Sequence, residues 1–106
     1  DGMVIVPCSM KTLSAVANSY ADTLIARAAD VTMKERRRLI LCPRETPLHE
    51  IHLENMLRLS RMGTVIMPPV PALYGKPRSL QEMADHFVGR ILDQLGVHTA
   101  LSKRWE

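Results

Sequence analysis

Apolar positions along the chain change their period several times, and each change marks an element. Gly2-Met3-Val4-Ile5-Val6 is a short apolar run rich in β-branched residues, the pattern of a strand buried on both faces. It meets Pro7-Cys8 and turns polar at Ser9, a suitable N-cap, so a helix is predicted from there to about Asn18. A second helix is predicted from Asp22 or Thr23, with Leu24, Ile25, Ala28 and Val31 on one face. It ends in the basic run Lys34-Glu35-Arg36-Arg37-Arg38, and Leu39 to Cys42 predicts the second strand. Thr46-Pro47 predicts the start of a third helix, because proline suits the first helical position. That helix runs to Met62 and stops at Gly63. Thr64 to Met67 predicts a third strand, followed by Pro68-Pro69-Val70-Pro71. The last helix is the most regular: Ser79 and Glu82 stand at capping-box spacing, Leu80, Met83, Ala84, Phe87, Val88, Ile91, Leu92 and Leu95 follow, and Gly96 ends it.

Strands alternating with helices predict an α/β fold, a parallel sheet with helices against its faces. At 106 residues the chain holds one domain at most. Parallel strands share a direction, so Pro7, Pro43 and Pro68 are expected on one edge of the sheet. Proline suits that position because it has no N–H to give a ladder. Ligands of open α/β sheets bind beyond the carboxyl ends of the strands. Ser9, Lys11, Thr12, Arg44, Glu45 and the loop carrying Tyr74 are therefore expected to converge.

Composition narrows the partners. Hydrophobic residues make up 46% and charged residues 24%, ordinary for a soluble globular chain. No apolar run approaches the roughly 20 residues of a membrane span. A net charge of +3 favours anionic ligands, and one Trp, two Tyr and one Phe are too few to suggest a nucleic-acid surface. Cys8 and Cys42 each end an apolar run and lack the paired spacing of a zinc site, which suggests buried, reduced thiols in a cytoplasmic protein. A catalytic Cys8 with His49 or His52 is a minor alternative. His52, His86 and His98 are expected at the surface, and no histidine pair suggests a metal site.

Ser9-Met10-Lys11-Thr12 brings hydroxyls, an ammonium and free backbone N–H groups to a helix start, a combination that binds phosphate. A simple N-cap with a solvated lysine is the bland alternative. The five glycines are scattered, so no GxGxxG or Walker sequence occurs. Arg44-Glu45 follows a strand: the guanidinium is a permanent fork for phosphate, and a nearby carboxylate can hold or deliver a proton. Their bland reading is a structural ion pair. Arg36, Arg37 and Arg38 are read as a solvated helix end that complements the macrodipole. Arg90 falls between Phe87 and Ile91, close to the expected apolar face, where a guanidinium needs an anionic partner.

The stretches PCSMKTL, YADTLIARAADVTMKERRRLILCPRETPLHEIHLENMLRLSRMG, VIMPPVPALY and GRILDQLG closely resemble the flavin prenyltransferases, partners of the reversible decarboxylases of ubiquinone and aromatic-acid metabolism. The resemblance implies a Rossmann-like or flavodoxin-like three-layer subunit that binds FMN. It implies transfer of a dimethylallyl group from dimethylallyl monophosphate to N5 and C6 of reduced FMN, without a metal, giving prenylated FMN for a downstream decarboxylase. By matching motif, Ser9, Met10, Lys11, Thr12 and Arg44 would contact FMN, and Tyr74, Arg90 and Lys34 the prenyl phosphate. Glu45 would handle the proton as phosphate leaves, Arg27 matches a polar position near the site, and Trp105 matches a tail aromatic that covers a neighbouring subunit's site. Relatives form large symmetric homo-oligomers, dodecamers by resemblance. The family's first strand and its Gly/Ser-rich flavin-phosphate turn have no counterpart here. Residues 1–106 are thus expected to be the C-terminal portion of a single flavoprotein domain, weak or inactive alone. Two readings compete: an FMN-dependent decarboxylase of the phosphopantothenoylcysteine type, whose Asn-containing signature PCSMKT lacks, and a non-catalytic flavin-binding subunit.

Overall fold

The computed structural model describes residues 2–70 and 78–97. The chain divides into two compact units, Asp1–Pro68 and Pro69–Glu106. The first holds β1 (Gly2–Cys8), α1 (Met10–Ala17), α2 (Leu24–Lys34), β2 (Arg38–Pro43), α3 (Glu50–Arg61) and β3 (Val65–Ile66); the second holds α4 (Leu80–Gln94). The strands form a parallel sheet in the order β1-β2-β3. This is the expected α/β architecture of the flavodoxin-like kind. Register runs from Gly2 opposite Arg38 to Ile5 opposite Leu41, then shifts so that Cys8 lies opposite Pro43.

Both crossovers step the same way along the sheet, so their right-handed sense puts α1, α2 and α3 on one face. In keeping with this, α1 packs on both α2 and α3. Ile5, Cys8, Leu39 and Leu41 from the sheet meet Leu13, Val16 and Ala17 of α1, Ala29 of α2 and Leu59 of α3. Each fully buried leucine here contributes roughly 2 kcal/mol. On β2 the alternate residues Ile40 and Cys42 are also fully buried, so the continuous apolar run does mark a strand covered on both faces. β1 departs from that expectation. Ile5 is buried, but Val6 is 52% exposed, because β1 has a neighbouring strand on one side only among the described residues.

Two further expectations change. On α2 the inward residues are Ala26 and Ala29, whereas Leu24 is 83%, Ile25 52% and Val31 51% exposed. Small side chains let the helix approach the sheet closely, and the larger stripe faces away. α3 begins at Glu50, not at Pro47, which sits in a bend upstream. Its N-cap is His49, whose Nδ1 accepts from the N–H of Ile51 (3.2 Å) and of His52 (3.4 Å). His52 Nδ1 accepts in return from the His49 N–H at 3.4 Å, and the two rings stack with centroids 3.6 Å apart. This reciprocal cap satisfies the orphan donors that fix where the helix can start. The C-terminal signals act as read: Gly63 at φ +94° follows α3 and Gly96 at φ +87° follows α4. Ser79 Oγ accepts from the Glu82 N–H at 3.1 Å. No helix among the described residues is long and apolar enough to cross a membrane.

Candidate anion site at the carboxyl ends of the strands

Cys8 pairs with Pro43, so Ser9 and Arg44 leave neighbouring strands, about 4.8 Å apart, on the same edge. The Met67 N–H donates to the Leu41 carbonyl at 2.8 Å and carries the exit of β3 alongside. The three proline-tipped exits therefore lie side by side.

α1 starts at that edge. Ser9 Oγ accepts from the Thr12 N–H and donates to Thr12 Oγ1, both at 3.1 Å, and the Leu13 N–H donates to the Ser9 carbonyl at 2.9 Å. With Thr12 and Leu13 satisfied, the N–H groups of Met10 and Lys11 are the first-turn donors left for a ligand. No acidic residue stands in this first turn, so the positive end of the helix is uncompensated. Lys11 is exposed beside it, and Met10 is half-buried against the core. One strand over, Arg44 and Glu45 are exposed directly after buried Pro43. Neither forms a salt bridge with a described residue, which removes the structural ion pair that was their bland explanation. A groove of about 470 Å³ continues from Lys11 and Thr12 past Asn18 and Tyr20 to Asp22 and Thr23. Arg27 lies by its far end, where its Nε donates to the Ala21 carbonyl at 3.4 Å.

One expected residue of this unit, Lys34, does not join this edge. Lys34 is the last residue of α2 and precedes Arg38, the first of β2. It therefore sits at the amino-terminal edge of the sheet, roughly 20 Å from Glu45 at the rise of a strand. Arg90, on α4 in the second unit, is itself exposed, although its neighbours Gly89 and Ile91 are the buried residues of that helix. At the flank of an apolar stripe a long guanidinium side chain reaches water and needs no buried counter-ion. Tyr74, Trp105 and His98 lie outside the described residues.

Both cysteines are free and buried. Burial, and then the nearby Cys42, push the Cys8 thiol up to about 11; burial also raises Cys42. Thiols held protonated at neutral pH are poor nucleophiles, so the geometry does not favour cysteine–histidine chemistry. The sequence reading missed the His49–His52 pair, which anchors the helix that follows the Arg44-Glu45 turn. The signal was there as capping-box spacing, but with histidines where Ser and Glu are usual.

Comparison with known proteins agrees with the fold. Over 105 residues the chain is 58% identical to a probable UbiX-like flavin prenyltransferase of Bacillus subtilis, covering 99% of this chain and 52% of that protein. The crystal structure of AnUbiX (PadA1) in complex with FMN and dimethylallyl pyrophosphate matches at TM-score 0.95 and 56% identity, over 100% of this chain and 56% of that one. A dodecameric FMN-dependent UbiX-like decarboxylase from Escherichia coli O157:H7 matches at TM-score 0.94 and 53% identity, over 100% of this chain and 57% of that one. The chain spans about half the length of the curated relatives it matches. Residues 1–92 match the Flavoprotein family model, and the chain belongs to the flavoprotein family.

Proposed function

We propose that the whole protein is a flavin prenyltransferase that moves a dimethylallyl group from dimethylallyl monophosphate to reduced FMN. The observation that carries this reading is the shared edge: the open N-terminus of α1 lies beside Arg44 and Glu45, which form no salt bridge with a described residue. Such an edge is built for a negatively charged ligand next to a group that can hold a proton, which supports FMN contact there. Likeness at 56% identity to a structure holding FMN and dimethylallyl pyrophosphate supports the choice of ligands.

Bound reduced FMN supplies N5 and C6 as the positions that accept the prenyl carbons. The Met10 and Lys11 N–H groups, with the hydroxyls of Ser9 and Thr12, orient the flavin, and Arg44 holds negative charge beside it. Glu45 delivers a proton to the departing phosphate oxygen. Tyr74 and Arg90 bind the prenyl phosphate, Arg27 lines the approach, and Trp105 covers the site of a neighbouring copy. Lys34 stands at the far edge of its own sheet, so we assign it to the prenyl phosphate in another copy's site. That assignment requires a homo-oligomer; a dodecamer is the expected form, as in the Escherichia coli relative. The product serves a downstream decarboxylase that uses prenylated FMN, and the protein works in the cytoplasm.

The test is to incubate the full-length protein with reduced FMN and dimethylallyl monophosphate and to weigh the flavin released. A flavin heavier by one five-carbon unit is expected. Recovery of unchanged FMN would sink the proposal in favour of a flavin-binding subunit. Decarboxylation of phosphopantothenoylcysteine in its place would favour the other enzyme class.

A further inference from the structure

The arginine run at the end of α2 plays no part in the proposed flavin chemistry. In the structure Arg36, Arg37 and Arg38 line a groove of about 390 Å³ with Met33, Met62 and Thr64. Arg38 opens β2 and pairs with Gly2 at the start of β1, so this groove lies at the edge of the sheet opposite Ser9 and Arg44.

Two observations exceed a helix end dressed with solvated charge. The first is the excess of charge. The groove lies where α2 and α3 both end, and two helix C-termini together carry about one negative charge. Arg36 and Arg38 alone exceed that, and Lys34 and Arg61 already stand in the last turns of the two helices. Among the described residues no carboxylate lines the groove. Glu35 engages Arg37 at 3.5 Å, whereas Arg36 and Arg38 form no ion pair with a described residue. The second observation is Thr64, which is 5% exposed. Its N–H is committed to the Leu59 carbonyl at 3.0 Å, but its Oγ1 is buried without a hydrogen-bond partner among the described residues. Buried hydroxyls in native folds are nearly always satisfied, and an oxyanion in this groove would satisfy this one.

We propose that the groove is a second anion site, for a small phosphate-bearing ligand, in which Arg36 and Arg38 supply guanidinium forks and Thr64 a hydroxyl. It lies the length of β2 away from the proposed flavin edge and goes beyond the proposed function.

The test uses full-length protein saturated with FMN and titrated calorimetrically with inorganic pyrophosphate at fixed ionic strength. Arg90→Ala, which disables the proposed prenyl-phosphate site, should retain a pyrophosphate site, whereas Arg36→Gln/Arg38→Gln should weaken that site about tenfold or more. Thr64→Val, which keeps the shape, should weaken it several-fold and decides the matter if the double variant fails to fold. Prenyl transfer by these groove variants should stay at the wild-type rate, so failure here is distinguishable from failure of the flavin reading. Unchanged pyrophosphate affinity in Thr64→Val and the double variant would overturn the proposal. So would loss of all pyrophosphate binding through Arg90→Ala alone.

Discussion

Glu45 leaves the sheet two residues beyond buried Pro43, exposed and without a salt bridge to a described residue, so its carboxylate is free to move a proton. Glu45→Gln in the full-length protein should slow prenyl transfer by about 100-fold, the usual scale of a lost general acid or base, and leave FMN bound. Flavin absorbance after gel filtration, with single-turnover rates, checks both halves; unchanged turnover would end the proton role. Arg90→Ala should weaken the prenyl phosphate far more than the flavin, and an equal fall in FMN affinity would redraw the division between the two phosphate sites. Cys8 carries a pH dependence. Its thiol rises from 9.0 to about 11 on folding, so folding favours the protonated form. That stabilisation is complete below pH 9 and is lost as pH climbs through 11. The urea midpoint of the full-length protein should drop between pH 9 and 11 more steeply than that of Cys8→Ala. Parallel curves would show that the thiol is not the source.

Among the elements, α2 departs most from the pattern of its sequence. Its inward stripe is Ala26 and Ala29, at 2% and 0% exposure, because only small side chains allow this close approach to the sheet. Ala29→Leu should therefore cost about 1–3 kcal/mol through overpacking, whereas Leu24→Ala, at 83% exposure, should stay within about 0.5 kcal/mol. Urea denaturation ranks the two, and the opposite order would mean that α2 is rotated about its axis. The start of α3 is decided by a cap, not by its proline. His49→Ala should lose about 1 kcal/mol, and His49→Asn should recover most of it. Stability indifferent to both changes would show that the helix start is set elsewhere.

At the scale of the molecule, Lys34 and Glu45 occupy opposite edges of one sheet, so the proposed prenyl-phosphate site draws on two copies. Lys34→Ala and Arg44→Ala, each inactive when expressed alone, should restore activity when co-expressed. Random assembly leaves roughly a quarter of two-copy sites intact. No recovery in a mixed oligomer, verified by two different tags, would return Lys34 to a structural role at the end of α2.

The periodicity of the sequence was enough for the α/β class, the order of elements and the edge where Ser9 and Arg44 emerge. Apolar period, caps and proline-tipped strands are local signals, and parallel strands share one direction whatever their packing. The position of Arg44 and Glu45 at that edge was legible for the same reason, since following a strand is itself local. Which stripe of α2 faces inward, and that His49 rather than Pro47 begins α3, rested on tertiary contact. Two stripes of the same period differ only in what they approach, and a cap is chosen by the hydrogen bonds that close. Likewise the distance from Lys34 to Glu45, and the meeting of the arginine run with Thr64, came from the fold alone: neighbours in space there are far apart along the chain, and no pattern of spacing encodes them.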